Sequence, residues 1–280
     1  MTTPNAHTAP APPLTFRTIA VDGGVIPVAL AGEGSMPVIL LHGWTLDHRL
    51  WTPQLAEMGD TYRLIMPDRR GCGQATAPPD LLREAEDVIA IADALGFDRF
   101  ALVGLSRGAT VALDVACRFA ARVSALVVSG APLPTLVPRE EVIDLDRFRA
   151  QAASGALASL RAEWAQHPLM ATHSPDAAAL AAAMLADYDG RDLIVATETP
   201  EFPSAVLAKL SMPVLALTGT HDTPWRKACA AALAAIAPRA MHALVPNAGH
   251  LANADNPDRF NALVSSFLRN SAEPTTRPQA

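Results

Sequence analysis

The chain has 280 residues, half of them hydrophobic and 18% charged, with a formal net charge of −6. That is enough apolar material for one large α/β domain or a domain with an insertion, while the acidic balance, with no dense run of lysine or arginine, argues against a nucleic-acid or anionic-membrane surface. No apolar run reaches the roughly 18 residues of a membrane span, and Cys72, Cys117 and Cys229 are scattered without zinc or redox spacing, so free thiols are expected.

Residues 1–13 hold four prolines and no bulky apolar residue, which predicts a disordered leader. Met1 to His7 lacks both the basic and the apolar region of a secretion signal, so a cytoplasmic location is expected. Leu14 to Val21 partly alternates, Asp22-Gly23-Gly24 supplies a hairpin turn, and Val25 to Ala31 follows as a second strand. Val38 to Leu41 is a continuous apolar run, as in a strand covered on both faces. A helix is expected through Leu55 and Met58, then a strand over Tyr62 to Met66. Pro78 and Pro79 introduce a helix with apolar positions from Leu81 to Leu95 at helical spacing, stopped by Gly96. A buried strand from Arg99 to Leu105 runs into a helix to about Ala121, and Val123 to Ser129 is the next strand. From Ala131 to Ala208 no strand is convincing; the segment is helical pieces, with Asp176 to Met184 the plainest. The sheet resumes at Pro213 to Leu217 and Met241 to Val245, and a helix from Pro257 to Leu268 closes the chain before a loose tail over 271–280. This alternation predicts an α/β fold with a mostly parallel eight-stranded sheet flanked by helices. The core is expected over 14–130 and 209–270, with a helical cap over 131–208 inserted after the sixth strand.

One stretch in this order carries chemistry. At Gly104-Leu105-Ser106-Arg107-Gly108 a buried strand reverses into a small-residue helix, and small residues at 104 and 108 let the two backbones approach. The turn lifts the Ser106 hydroxyl out of the sheet; its bland reading is a tight turn with an inert serine. A serine hydroxyl is a weak nucleophile that needs a base, an orienting acid and donors for the oxyanion. The base is expected past the last strand, where Asn247-Ala248-Gly249-His250 stands; His7, His167, His173 and His242 fall in the leader, the inserted block and a strand. The acid is expected at a strand's carboxyl end, and Gly219-Thr220-His221-Asp222 puts Asp222 there. A cap for the helix starting at Pro224 is its structural alternative, and Asp144 or Asp146 could supply the acid instead.

Together, His42-Gly43-Trp44 after the third strand, Asp68 to Gly73 after the fourth, Gly104 to Gly108 after the fifth, then Gly219 to Asp222 and Gly249-His250, resemble an α/β-hydrolase-fold enzyme over residues 14–270. The resemblance implies a triad of Ser106, Asp222 and His250, an oxyanion hole from the backbone N–H groups of Trp44 and Arg107, and no metal or organic cofactor. It leaves the Arg107 side chain either in solvent or paired with an acid. The implied activity is that of a serine hydrolase cleaving an ester or lactone through an acyl-enzyme on Ser106. Serine at this position argues against relatives that use aspartate there. The same scaffold also serves carbon–carbon bond hydrolases, cofactor-free haloperoxidases or perhydrolases, cofactor-independent dioxygenases and, in a different class, non-enzymatic ligand receptors. Pocket residues are expected to be His42 from the core and Trp164, Leu169, Met170, Met184 and Tyr188 from the cap, around a small apolar or neutral substrate. The alanine-rich cap also offers a face to a second copy of the chain.

Overall fold

The alternating segment near the start forms a hairpin at one sheet edge: β1 (Thr15–Val21) pairs antiparallel with β2 (Gly24–Ala31) around Gly23, whose φ of 81° is the left-handed conformation such a turn requires. The computed structural model describes residues 12–195 and 198–271. Six more strands follow: β3 (Met36–Leu41), β4 (Tyr62–Pro67), β5 (Phe100–Leu105), β6 (Val123–Ser129), β7 (Val214–Gly219) and β8 (Ala240–Val245). They form one eight-stranded sheet in the order β1-β2-β4-β3-β5-β6-β7-β8. Strand β2 is antiparallel to both neighbours and every other pairing is parallel. The predicted mostly parallel sheet is therefore present, with all eight strands where the apolar runs place them.

The continuous runs of β5 and β7 are buried along their whole length, because helices cover both faces. Successive residues divide between two cores: Val38, Leu40, Ala101 and Val103 point to one, Ile39, Leu41, Phe100 and Leu102 to the other. Edge strand β8 instead exposes Met241 and Leu244. Register sets Leu41 beside Gly104, Leu105 beside Ser129 and Gly219 beside Val245, so the carboxyl ends of these strands share one rim. Ligand sites of open parallel sheets lie at that rim.

The helices are α1 (Leu55–Met58), α2 (Glu84–Ala94), α3 (Arg107–Arg118), α4 (Leu145–Ala153), α5 (Leu157–Trp164), α6 (Pro175–Asp187), α7 (Arg191–Ile194), α8 (Ser204–Leu207), α9 (Pro224–Ile236), α10 (Ala252–Asp255) and α11 (Pro257–Ser271). Several boundaries differ from the periodicity. The helix expected from Pro79 starts at Glu84, because Asp80 holds a turn by accepting the Arg83 N–H on its carbonyl and the Leu82 N–H on its side chain. Helix α3 stops at Arg118, where Phe119 leaves helical dihedrals. Before α1 the chain makes a 3-10 helix over His48–Gln54, capped by the Asp47 side chain. Ser271, expected in the tail, closes α11. Most of the leader and tail, 1–11 and 272–280, lies outside the described residues.

Between β6 and β7 the described residues contain α4 to α8 and no strand. Ser174 caps α6 by accepting the Ala177 N–H at 3.1 Å, with Pro175 at the first turn, where its missing N–H costs nothing. Asp144, one of the alternative acids, is consumed in capping α4, and Asp146 pairs with Arg149 at the surface. Both are exposed.

Candidate active site

The turn after β5 is tight for reasons that name its residues. Ser106 sits at φ 55°, ψ −114°, a conformation of the kind that costs a non-glycine residue about 1–3 kcal/mol. It is held by its N–H donating to the Ser129 carbonyl at 2.8 Å, while its own carbonyl accepts from Ala109 and Thr110. A Cβ on Gly104 would lie 2.4 Å from the Gly108 carbonyl oxygen, and one on Gly108 would lie 2.1 Å from that of Leu41. Glycine is thus required at both positions. Ser106 is half-buried and lines a cavity of about 260 Å³ together with His250.

Asp222 follows β7 and His250 follows β8, and the two meet: His250 Nδ1 lies 3.1 and 3.2 Å from the two Asp222 oxygens, with both side chains buried. Burial alone would push the Asp222 carboxyl up. The charge and hydrogen bond of His250, the Thr223 N–H at 2.7 Å and the Arg226 guanidinium outweigh it and hold the carboxyl below its ordinary value. The helix-cap alternative for Asp222 falls to its neighbour, since Thr223 Oγ1 accepts the Arg226 N–H and caps α9. On the far side of the imidazole, His250 Nε2 is buried with no hydrogen-bond partner among the described residues. The arrangement can move a proton at Nε2 while Nδ1 is held by a carboxylate.

Several further residues, most of them not singled out in the sequence, hold this pair. Gly130, at φ 58°, follows β6 and lies against the imidazole; a Cβ there would lie 2.6 Å from His250 Cε1 and 2.8 Å from Nδ1. Its carbonyl accepts from Arg226 at 2.7 Å, and Arg226 is gripped by Glu141. A cation in the first turn of a helix opposes the macrodipole, so Arg226 was the visible clue. Gly219 lets the His250 loop lie on the end of β7, where a Cβ would come 2.1 Å from the Ala248 carbonyl oxygen. Asp255 fixes that loop, accepting the Gly249 N–H at 2.8 Å and the His173 N–H at 2.6 Å. Gly130→Ala is expected to displace His250, lowering turnover by about 100-fold and stability by about 1–3 kcal/mol. Steady-state rates and a urea midpoint check this; unchanged kinetics would mean the ring does not need its observed place.

The loop after β3 flanks the serine, with the Cβ position of Gly43 3.5 Å from that of Ser106. His42 is corrected from a pocket residue to a structural one. It is fully buried, its Nδ1 donates to the Gly43 carbonyl at 2.8 Å and its Nε2 accepts the Arg69 N–H at 3.0 Å, so no atom is left for a substrate. Burial first, then the Arg69 charge, pushes its imidazole down to about 4. Arg69 in turn donates to Glu84 at 2.6 and 2.8 Å and to the His42 carbonyl at 3.1 Å. The sign follows from linkage: unfolded chain binds the His42 proton below about 6.5 and the folded chain does not until about 4. This stabilisation is complete above that window and is lost as pH falls through it, by about 3 kcal/mol in all. Denaturant midpoints from pH 7.5 to 4.5 are expected to fall less steeply in His42→Asn than in the parent chain; equal slopes would refute the assignment.

The Arg107 side chain, left open by the sequence, pairs with Asp192 of α7 at 2.9 Å and lies over the Trp44 ring at 5.4 Å. Asp192 is buried and also accepts from Trp44 Nε1 at 2.8 Å and the Tyr188 hydroxyl at 2.5 Å. No spacing marked it. Trp164, Leu169 and Met170 line the cavity with Ser106, and Trp164 Nε1 donates to Thr45 Oγ1 at 3.0 Å. Met184 and Tyr188 do not. They line a second cavity beside Asp47, His48 and Asp68, where Tyr188 meets the Trp44 indole edge to face and spends its hydroxyl on Asp192.

Asp47, His48 and Asp68 bring potential metal-ligating atoms within 4.8 Å of one another. Their carboxylates are already engaged: Asp47 accepts from Arg49, and Asp68 from His48 and the Gln74 N–H. That chemistry fits an anchor for the 3-10 helix. No described helix is long and apolar enough to cross a membrane.

A family profile described as Alpha/beta hydrolase family matches residues 38–263. A curated protein named "Putative carbamate hydrolase RutD", from Escherichia coli O7:K1 strain IAI39, is 27% identical over 249 residues, covering 82% of this chain and 90% of its own. Among solved structures, a thermophilic esterase from Thermogutta terrifontis superposes with a TM-score of 0.77 at 24% identity, over 93% of this chain and 100% of the other. The enol-lactonase from Burkholderia xenovorans LB400 gives 0.74 at 21%, over 90% and 100%. At such identities the solved structures speak for the fold. With the profile spanning most of its length, the chain belongs to the alpha/beta hydrolase family and is a hydrolytic enzyme.

Proposed function

We propose that this hydrolase cleaves a small apolar or neutral ester or lactone through an acyl-enzyme on Ser106. The observation that carries the reading is the buried, unpartnered Nε2 of His250 in the cavity of Ser106, on an imidazole whose other nitrogen faces Asp222. His250 Nε2 takes the Ser106 proton as Oγ bonds to the substrate carbonyl carbon, whose π electrons move to oxygen. The Trp44 and Arg107 N–H groups stabilise that oxyanion, typically at about 10²–10³-fold per donor. Collapse of the intermediate expels the alcohol, which takes its proton from His250; water, deprotonated by the same nitrogen, then bonds to the acyl carbon, and Ser106 Oγ leaves with that proton as the acid is released. Asp222 keeps the proton on Nδ1 and stabilises the transient imidazolium.

The helical segment 131–208 acts as a cap in this reading, since its Trp164, Leu169 and Met170 form part of the wall. A volume of about 260 Å³ suits short acyl and alkoxy groups. Carbamates are a second acyl class, favoured by the name of the curated relatives, and the same intermediate would open them. The free thiols Cys72, Cys117 and Cys229 fit a reducing, cytoplasmic setting.

The test is direct. p-Nitrophenyl acetate is expected to be hydrolysed with a burst of nitrophenol, and a fluorophosphonate is expected to add one phosphonyl group, mapped to Ser106 by peptide mass. Absence of both cleavage and label would favour a ligand receptor; turnover of a methyl carbamate above that of the matched ester would move the substrate class.

A further inference from the structure

Asp192 is a buried carboxylate for which the acyl chemistry has no task. It sits on α7, in the segment between β6 and β7, more than eighty residues from Arg107 in sequence. It accepts from Trp44 Nε1 at 2.8 Å, from Arg107 at 2.9 Å and from the Tyr188 hydroxyl at 2.5 Å. Trp44 and Arg107 are the two residues whose backbone N–H groups face the oxyanion in the proposed mechanism. Their side chains, free of that work, converge on one charge, and the guanidinium also covers the Trp44 ring.

This convergence has a physical consequence. The loop after β3 turns through Thr45 at φ 62°, outside any strand or helix, so the Trp44 indole is one of its firm anchors. Oxyanion donors act only when they lie about 2.7–3.1 Å from the developing charge. A buried carboxylate accepting charge-assisted and neutral hydrogen bonds from both donor residues fixes their spacing.

We propose that Asp192 is a positioning residue for the oxyanion hole, holding the Trp44 and Arg107 donors in register from the helical segment. This rests on the acyl-enzyme reading. Because the clamp acts on the tetrahedral species more than on bound ester, it predicts a loss in kcat with little change in KM.

The experiment uses the full chain, its Asp192→Ala and Asp192→Asn variants, p-nitrophenyl acetate, and a trifluoromethyl ketone that captures Ser106 as a hemiketal anion. In Asp192→Ala, kcat is expected to fall by about 10–100-fold, KM to move by less than about threefold, and ketone affinity to fall in step with kcat. Asp192→Asn, which keeps an acceptor for Trp44 but loses the charge facing Arg107, is expected to fall between. A role in folding alone would lower the melting temperature and leave kcat per phosphonate-titrated site at the parent value, which would overturn the proposal; so would a rise in KM with kcat unchanged. Should Asp192→Ala not fold, Arg107→Met and Trp44→Phe, which remove the clamped side chains and keep the backbone donors, are held to the same outcomes. Parent turnover with undiminished variants overturns the clamp alone. No turnover in the parent chain overturns the acyl-enzyme reading and the clamp with it.

Discussion

Replacing Ser106 with alanine is expected to lower ester turnover by at least about 10⁴-fold while leaving the melting temperature close to that of the parent. In the proposed mechanism the substitution removes the atom that forms the acyl bond. It keeps a Cβ at φ 55°, so the backbone strain of the turn is unchanged and its hydrogen bonds to Ser129, Ala109 and Thr110 survive. The cavity and the two backbone N–H groups proposed as oxyanion donors also survive, which leaves an expected residual rate above the uncatalysed reaction. Initial rates on p-nitrophenyl acetate, with thermal unfolding and phosphonate labelling of both proteins, check each part. A folded alanine variant that still hydrolyses the ester at the parent rate would sink the mechanism.

The second large effect belongs to Asp222→Asn, expected to cost about 10³–10⁴-fold in kcat. The two chains would differ by one heavy atom, and the cost lies in the proton. As a carboxylate, Asp222 presents acceptors to His250 Nδ1 at 3.1 and 3.2 Å, so Nδ1 carries hydrogen and Nε2 is free to accept one. An amide nitrogen in that place donates to Nδ1 and shifts the ring hydrogen to Nε2, the atom that must take the serine proton. Thr223 goes on capping α9 in the variant, so stability should fall little. Rates from pH 6 to 9 are expected to stay depressed throughout. An asparagine variant within tenfold of the parent would mean that Asp222 has no part in orienting the base.

These expectations began with residues readable in the sequence, and the reason is chemical. A strand buried on both faces has to be a short apolar run, so the inner strands β3 to β7 announced themselves, and glycine at 104 and 108 marks a turn where a Cβ meets backbone oxygen. Ser106, Asp222 and His250 each follow a strand at the same rim, which is why local pattern could place them. What stayed hidden depends on distance in sequence. Asp192, Glu141 and Arg226 act through partners 85 residues away, joined by packing that no local period encodes. His42 was placed in the pocket for a related reason: its bonds to the Arg69 N–H and the Gly43 carbonyl depend on tertiary contacts that the sequence does not display. The start of α2 was missed because side-chain and carbonyl bonds of Asp80 outcompete the first helical turn.

Part of the cavity wall comes from a different stretch of the chain than the chemical groups. Ser106 and His250 stand on the sheet rim, set by glycines at 104, 108, 130 and 219 whose missing side chains leave no room for variation. Ile143, Leu145, Leu169 and Met170 come from the segment beyond β6 and touch the space without touching the His250–Asp222 hydrogen bonds. A library built for new substrates can therefore vary those four wall positions among apolar residues, which their packing against the core requires, provided it holds the glycine collar fixed. Selection on such a library would explore shape at nearly constant reactivity, a separation that the fold builds in before any substrate is chosen.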